Sequence, residues 1–82
     1  VIVKNSLQVG SIYESIISFS LYTIDESSAI TWLKNINRQS SFMVLENGFS
    51  DRFTKIITQD GEVGYIDSTF HYAGSETMKK IL

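Results

Sequence analysis

His71 is the chain's single histidine, and it stands between Phe70 and Tyr72, just after the last strongly apolar run. An imidazole can act as a general base only with an orienting partner and a nucleophile within reach. No spacing in the chain supplies either, so a structural or surface histidine is expected, and no enzyme. Asp60, Glu62 and Asp67 lie close enough together to suggest a cation site. Their spacing does not follow a calcium loop, and acids beside a hairpin turn are ordinarily solvated, so neither a metal nor a cofactor is expected. Gly61 and Gly64 sit three apart within a hairpin rather than at the mouth of a helix, which argues against a phosphate cradle. There is no cysteine, so disulfides, thiolate zinc sites and a cysteine nucleophile are excluded together.

The aromatic residues offer another chemistry. Tyr22, Trp32, Phe49, Phe53 and Tyr72 fall on expected strands or beside loops. Exposed together on a small barrel, they would form a groove for an extended peptide or a glycan stem, with large contact area at little entropic cost. Trp32 and Phe53 are open to two readings, core or surface. Tyr22 projects from the polar side of its strand and Tyr72 follows the closing turn, which favours the surface for both. Arg52, beside Phe53 and Lys55, is the one place where basic and aromatic residues interleave. The formal net charge is -2 with both signs interspersed, so no nucleic-acid partner is expected.

These residues must be positioned by a small scaffold. Eighty-two residues make one domain, 1–82, with one core. A domain of that size is near the lower limit of self-sufficiency, which leaves room for a partner chain or a parent protein to cover part of its surface. No apolar run reaches membrane-spanning length. The first residue is Val1 rather than methionine, which suggests a processed or excised piece of a longer protein.

There is no proline, so glycine, asparagine and aspartate punctuate the chain. "VIVKNSLQVG" reads as a strand ending at Gly10, within an extra N-terminal strand region over 1–15. "SIISFSLYTI" has period two, with Ile17, Phe19 and Leu21 on one side and Ser18, Ser20 and Tyr22 on the other. "ITWLKNI" is a short strand or a helical turn, "SFMVLEN" is a strand, and Asn47-Gly48 signals a turn.

"RFTKIITQ" and "EVGYI" flank Asp60-Gly61, the dipeptide of a two-residue hairpin turn. That loop would set Thr58 opposite Val63, Ile57 opposite Gly64 and Ile56 opposite Tyr65. One face would carry Ile56, Val63 and Tyr65, feeding the core, and the other Phe53, Lys55, Ile57 and Ile66. Both faces are then apolar, which points to a covering strand, an oligomer or a partner protein. Gly64 would let the sheet bend or a neighbouring side chain lie close. The tail "SETMKKIL" reads as a short helix over 75–82, with Ser75 as N-cap and Glu76–Lys80 an i,i+4 pair. The expectation is an all-β small antiparallel barrel with that helix appended.

The run "ITWLKNINRQSSFMVLENGFSDRFTKIITQDGEVGYIDSTF", together with "SFSLYTIDESSA" before it, resembles the bacterial SH3-like domain over about residues 16–72. "DGEVGYIDSTF" carries most of the likeness. Phe53 stands where the family has a tryptophan, and "YTIDESS" lacks the family's arginine, glycine and proline. The resemblance implies an SH3-like barrel and a non-catalytic binding module of the cell envelope. Its expected partner is a protein, a peptide or peptidoglycan, with a periplasmic, secreted or cell-surface location. A different class remains open beside it: an inhibitor, an immunity-type protein or an assembly subunit acting through a protein interface.

Overall fold

The structure, a computed structural model, describes residues 6–49 and 52–82. Its elements are strands: β1 (Ile12–Ser15), β2 (Phe19–Ile24), β3 (Ile30–Ile36), β4 (Ser41–Phe49), β5 (Phe53–Thr58), β6 (Val63–Asp67) and β7 (Met78–Lys80). They form one antiparallel sheet in the order β3-β2-β6-β5-β4-β1-β7. The chain is all-β, with no helix among the described residues.

β3 and β4 are four places apart in that sheet, yet residues 37–40 alone connect them. Four flat inter-strand steps span about 19 Å. Five Cα steps reach about 17 Å only when fully extended. The sheet must therefore curl. Extra residues on one strand, at Leu33, Leu45 and Gly48, supply local twist through β-bulges.

The curled sheet encloses one cluster. Leu7, Tyr13, Phe19, Leu21, Ile36, Phe42, Val44, Ile56, Ile66 and Met78 are buried together. Alternation explains the choice of residues: Phe42 and Val44 point inward from β4, Thr54 and Ile56 from β5, Gly64 and Ile66 from β6. Phe42 anchors the aromatic part, with Tyr13 stacked at 6.2 Å and Phe19 edge-on at 6.0 Å. Each such side chain contributes about 1.5–3 kcal/mol when fully buried.

Several expectations are corrected. Residues 75–82 are not a helix: Met78–Lys80 pair with β1, Ser15 facing Met78 and Tyr13 facing Lys80. Two turns of isolated helix are marginal, whereas strand pairing lets Met78 reach the core. The N-terminal strand is β1 at Ile12–Ser15, with residues 6–11 outside any strand, and the expectation over residues 1–5 lies outside the described residues. Ile17 does not share the inward side with Phe19 and Leu21; it is 47% exposed in the β1–β2 connection.

Asn47-Gly48 is not a turn. Both residues belong to β4, and Gly48, at φ +90°, is the extra residue of a bulge. The β5–β6 loop is one residue longer than the dipeptide suggested. Gly61 N–H donates to Thr58 O at 3.0 Å and Thr58 N–H donates to Glu62 O at 2.8 Å, with Gly61 left-handed at φ +88°. This is a three-residue loop, a type I turn closed by a left-handed glycine. The register moves by one, so Ile57 faces Val63, Ile56 faces Gly64 and Lys55 faces Tyr65. A one-residue slip exchanges the two faces of a strand. Val63 and Tyr65 therefore leave the core, and Ile66 enters it.

Candidate functional site

The corrected register assembles a row on the outer face. Trp32 pairs with Tyr22, Tyr22 with Tyr65, Tyr65 with Lys55, and Lys55 with Glu46. Direct partners on adjacent strands place their side chains side by side. Three aromatic side chains thus follow one another on β3, β2 and β6, spanning about 10 Å at ordinary strand spacing. Tyr22 and Tyr65 are flanked along their strands by buried residues of the opposite side: Leu21 beside Tyr22, Gly64 and Ile66 beside Tyr65.

Phe53 supports this row from the next position on β5. Its ring meets Tyr22 edge-on at 6.0 Å, and Arg52 places its guanidinium carbon 5.1 Å from the ring centroid. Arg52 in turn faces Asp67 at 3.6 Å. Phe53 is only 2% exposed although it lies outside the main core cluster, so it is a buried foundation for the outer face. Trp32 is the opposite case, 56% exposed at the open end of the row. Its indole N–H donates to Asn35 Oδ1 at 3.3 Å, which also accepts from Ser20 Oγ at 3.4 Å. The two readings left open for Trp32 and Phe53 thus divide: surface for one, buried for the other.

The structure brings together Tyr22, Trp32 and Phe53 of the expected aromatic set. Phe49 enters by its backbone pairing with Phe53, and the role expected of its side chain lies outside the described residues. Tyr72 is elsewhere, half-buried in the closing loop, where its backbone forms a turn with Ser75. Tyr65 is the residue that sequence reasoning misplaced, because the two-residue loop aimed it at the core. The signal that would have found it is Gly61, equally suited to the left-handed position of a three-residue loop.

A second feature adjoins Trp32. Lys34, Asn35, Ile36, Asn37, Ser40, Ser41, Thr58, Gln59 and Asp60 line an open cleft of about 440 Å³ between the β3–β4 turn and the β5–β6 hairpin. The turn is held from beneath by Ser15, wholly buried: its hydroxyl donates to Asn37 O at 2.7 Å and accepts from Ser40 N–H at 3.0 Å. Lys34 spans to the hairpin, 3.7 Å from both Asp60 and Glu62. The Thr58 hydroxyl donates to Asp60 at 2.6 Å; that bond, with Lys34 nearby, lowers the Asp60 pKa and keeps it ionised.

His71 belongs to neither feature. It stacks on Phe19 at 4.1 Å and its Nδ1 meets the Thr77 hydroxyl at 2.9 Å, which meets Ser75 at 2.9 Å. Burial lowers its pKa, partly offset by Asp67. The imidazole and two hydroxyls tie the closing loop to the core. No group of three or more acids and histidines among the described residues is arranged to hold a metal. No described helix is long and apolar enough to cross a membrane. Comparison of the chain with protein-family models, with curated proteins and with solved structures finds no match.

Proposed function

We propose that this chain is a non-catalytic binding module whose outer sheet face is its recognition surface. The observation that carries the proposal is the Trp32–Tyr22–Tyr65 row, seated on the buried Phe53 and flanked by Arg52. Aromatic side chains held on rigid strands offer flat, preorganised contact area, and a ligand meeting them loses little to their ordering. The resemblance to bacterial SH3-like domains supports an SH3-like barrel and a role in the cell envelope. Its ligand there would be a peptide, a cell-wall glycopeptide or a partner protein.

Trp32 makes the proposal measurable, because it is the only tryptophan in the chain. Co-sedimentation with purified peptidoglycan should retain the protein, with a change in Trp32 emission. Tyr65→Ala and Trp32→Ala should each weaken retention. Full recovery of the wild-type chain in the supernatant would exclude cell wall as the ligand.

One observation favours a second reading, a dedicated protein interface of the inhibitor, immunity or assembly-subunit kind. On the same outer side Ile12 pairs with Met43, Met43 with Ile57 and Ile57 with Val63. An apolar row across four strands, with Met43 and Val63 exposed, is the composition of an interface centre. Analytical ultracentrifugation separates the cases: a concentration-dependent dimer disrupted by Val63→Lys favours the interface, and a strict monomer removes self-association.

A further inference from the structure

We propose that the cleft between the β3–β4 turn and the β5–β6 hairpin is a subsite for an uncharged saccharide, which rests on the outer face being a binding surface. The lining chemistry excludes the other classes in turn. An anion would need a free cation, yet Lys34, the only basic lining residue among the described residues, already faces both Asp60 and Glu62 at 3.7 Å. A cation would have one lining carboxylate, and Asp60 is engaged by Thr58 and Lys34. Ile36, the one apolar residue among the described lining, is itself buried. The apolar part of the lining therefore comes mainly from carbon atoms of polar residues, a mixed surface that suits a sugar better than a wholly apolar ligand.

What remains is residues with side-chain amides and hydroxyls: Asn35, Asn37, Gln59, Ser40 and Ser41. Each amide presents a donor and an acceptor in one plane, a match for vicinal hydroxyl pairs, and Asn37 and Gln59 are exposed. Asn35 is preset, since its Oδ1 accepts from Trp32 and Ser20, leaving its amide N–H groups to donate. The same bond joins the cleft to Trp32, whose exposed ring supplies an apolar surface for the carbon face of a pyranose. A cleft of about 440 Å³ is within the size range of small-ligand sites. An extended peptide would instead pair with the backbone of β3, which stands at the end of the sheet order, and tetraglycine tests that occupant.

The test is titration of the isotope-labelled chain with chitotriose, with tetraglycine as the peptide comparator. Chitotriose should shift the side-chain amide resonances of Asn35, Asn37 and Gln59 and change Trp32 emission. Asn37→Ala and Gln59→Ala should each weaken its binding about three- to tenfold with unchanged thermal stability. Tetraglycine should leave the cleft resonances in place. Shifts confined to Tyr22 and Tyr65 would overturn the cleft assignment while leaving the outer face as a binding surface. Cleft shifts with tetraglycine alone, or none with either probe, would overturn it as well. Cleft shifts with chitotriose but no retention on peptidoglycan would sink only the cell-wall reading.

Discussion

Gly64 and Leu21 meet where no side chain could be added: a β-carbon on Gly64 would lie 2.6 Å from Leu21 Cγ. Leu21 is wholly buried, and both residues lie inward on adjacent strands, β6 and β2. The pairing of Tyr22 with Tyr65 depends on this close approach. Gly64→Ala should therefore destabilise the fold by about 1–3 kcal/mol, the cost of overpacking. Urea unfolding measures it. Unchanged stability would mean that β2 and β6 are not held this closely.

Ser15 tests the support of the cleft. Ser15→Ala removes the acceptor of Ser40 N–H and the donor to Asn37 O in a buried setting. A loss of about 1–3 kcal/mol is expected, with faster hydrogen exchange at the Ser40 amide. Ser18→Ala, in the exposed β1–β2 connection, should stay within about 0.5 kcal/mol of wild type.

Trp32 and Phe53 should separate stability from binding. Trp32→Ala lies at an exposed site and should change stability by less than about 1 kcal/mol while weakening ligand retention. Phe53→Ala removes a buried ring and should cost about 3 kcal/mol. Equal thermal shifts for the two variants would contradict their different burial.

Acidification should weaken the fold through His71. Its folded pKa lies below the ordinary 6.5, because burial disfavours the charged imidazole. The unfolded chain then binds the proton more readily, and stability rises with pH across that interval. The His71 contribution is complete above pH 6.5 and is lost as pH falls through the depressed folded value. Denaturant midpoints between pH 7 and pH 5 should fall for wild type and flatten for His71→Phe, which keeps a ring against Phe19. An equal slope in both would remove His71 as the cause.

Met78 distinguishes a docked strand from a frayed tail. It is 4% exposed and faces Ser15 across the β1–β7 ladder. Met78→Ala should cost about 2–4 kcal/mol, whereas an exposed tail would tolerate the change. Circular dichroism should give no helical contribution from residues 75–82.

Local chemistry was legible where it was also decisive. The alternation around Phe19 and Leu21 marked β2, Gly64 announced a close neighbour, and Asp60-Gly61 marked the hairpin. The same dipeptide fits a two-residue or a three-residue loop, and that ambiguity moved Tyr65 from core to surface. Asn47-Gly48 carried a turn signature that a bulge can equally use, because both need a positive φ at glycine. Cleft residues such as Asn35 and Gln59, distant in sequence, carried no local pattern at all.

The sequence by itself determined an all-β class, the approximate positions of most strands and an aromatic set with binding potential, since these follow from period-two patterning and residue type. Tertiary structure decided the rest. Pairing partners set the hairpin register and turned "SETMKKIL" into a strand, because burying Met78 beside β1 offers contacts that a two-turn helix lacks. Sheet order alone placed Trp32, Tyr22 and Tyr65 in one row and closed a cleft beside them. Face and neighbourhood are properties of pairing between distant segments, and one residue of register exchanges every face.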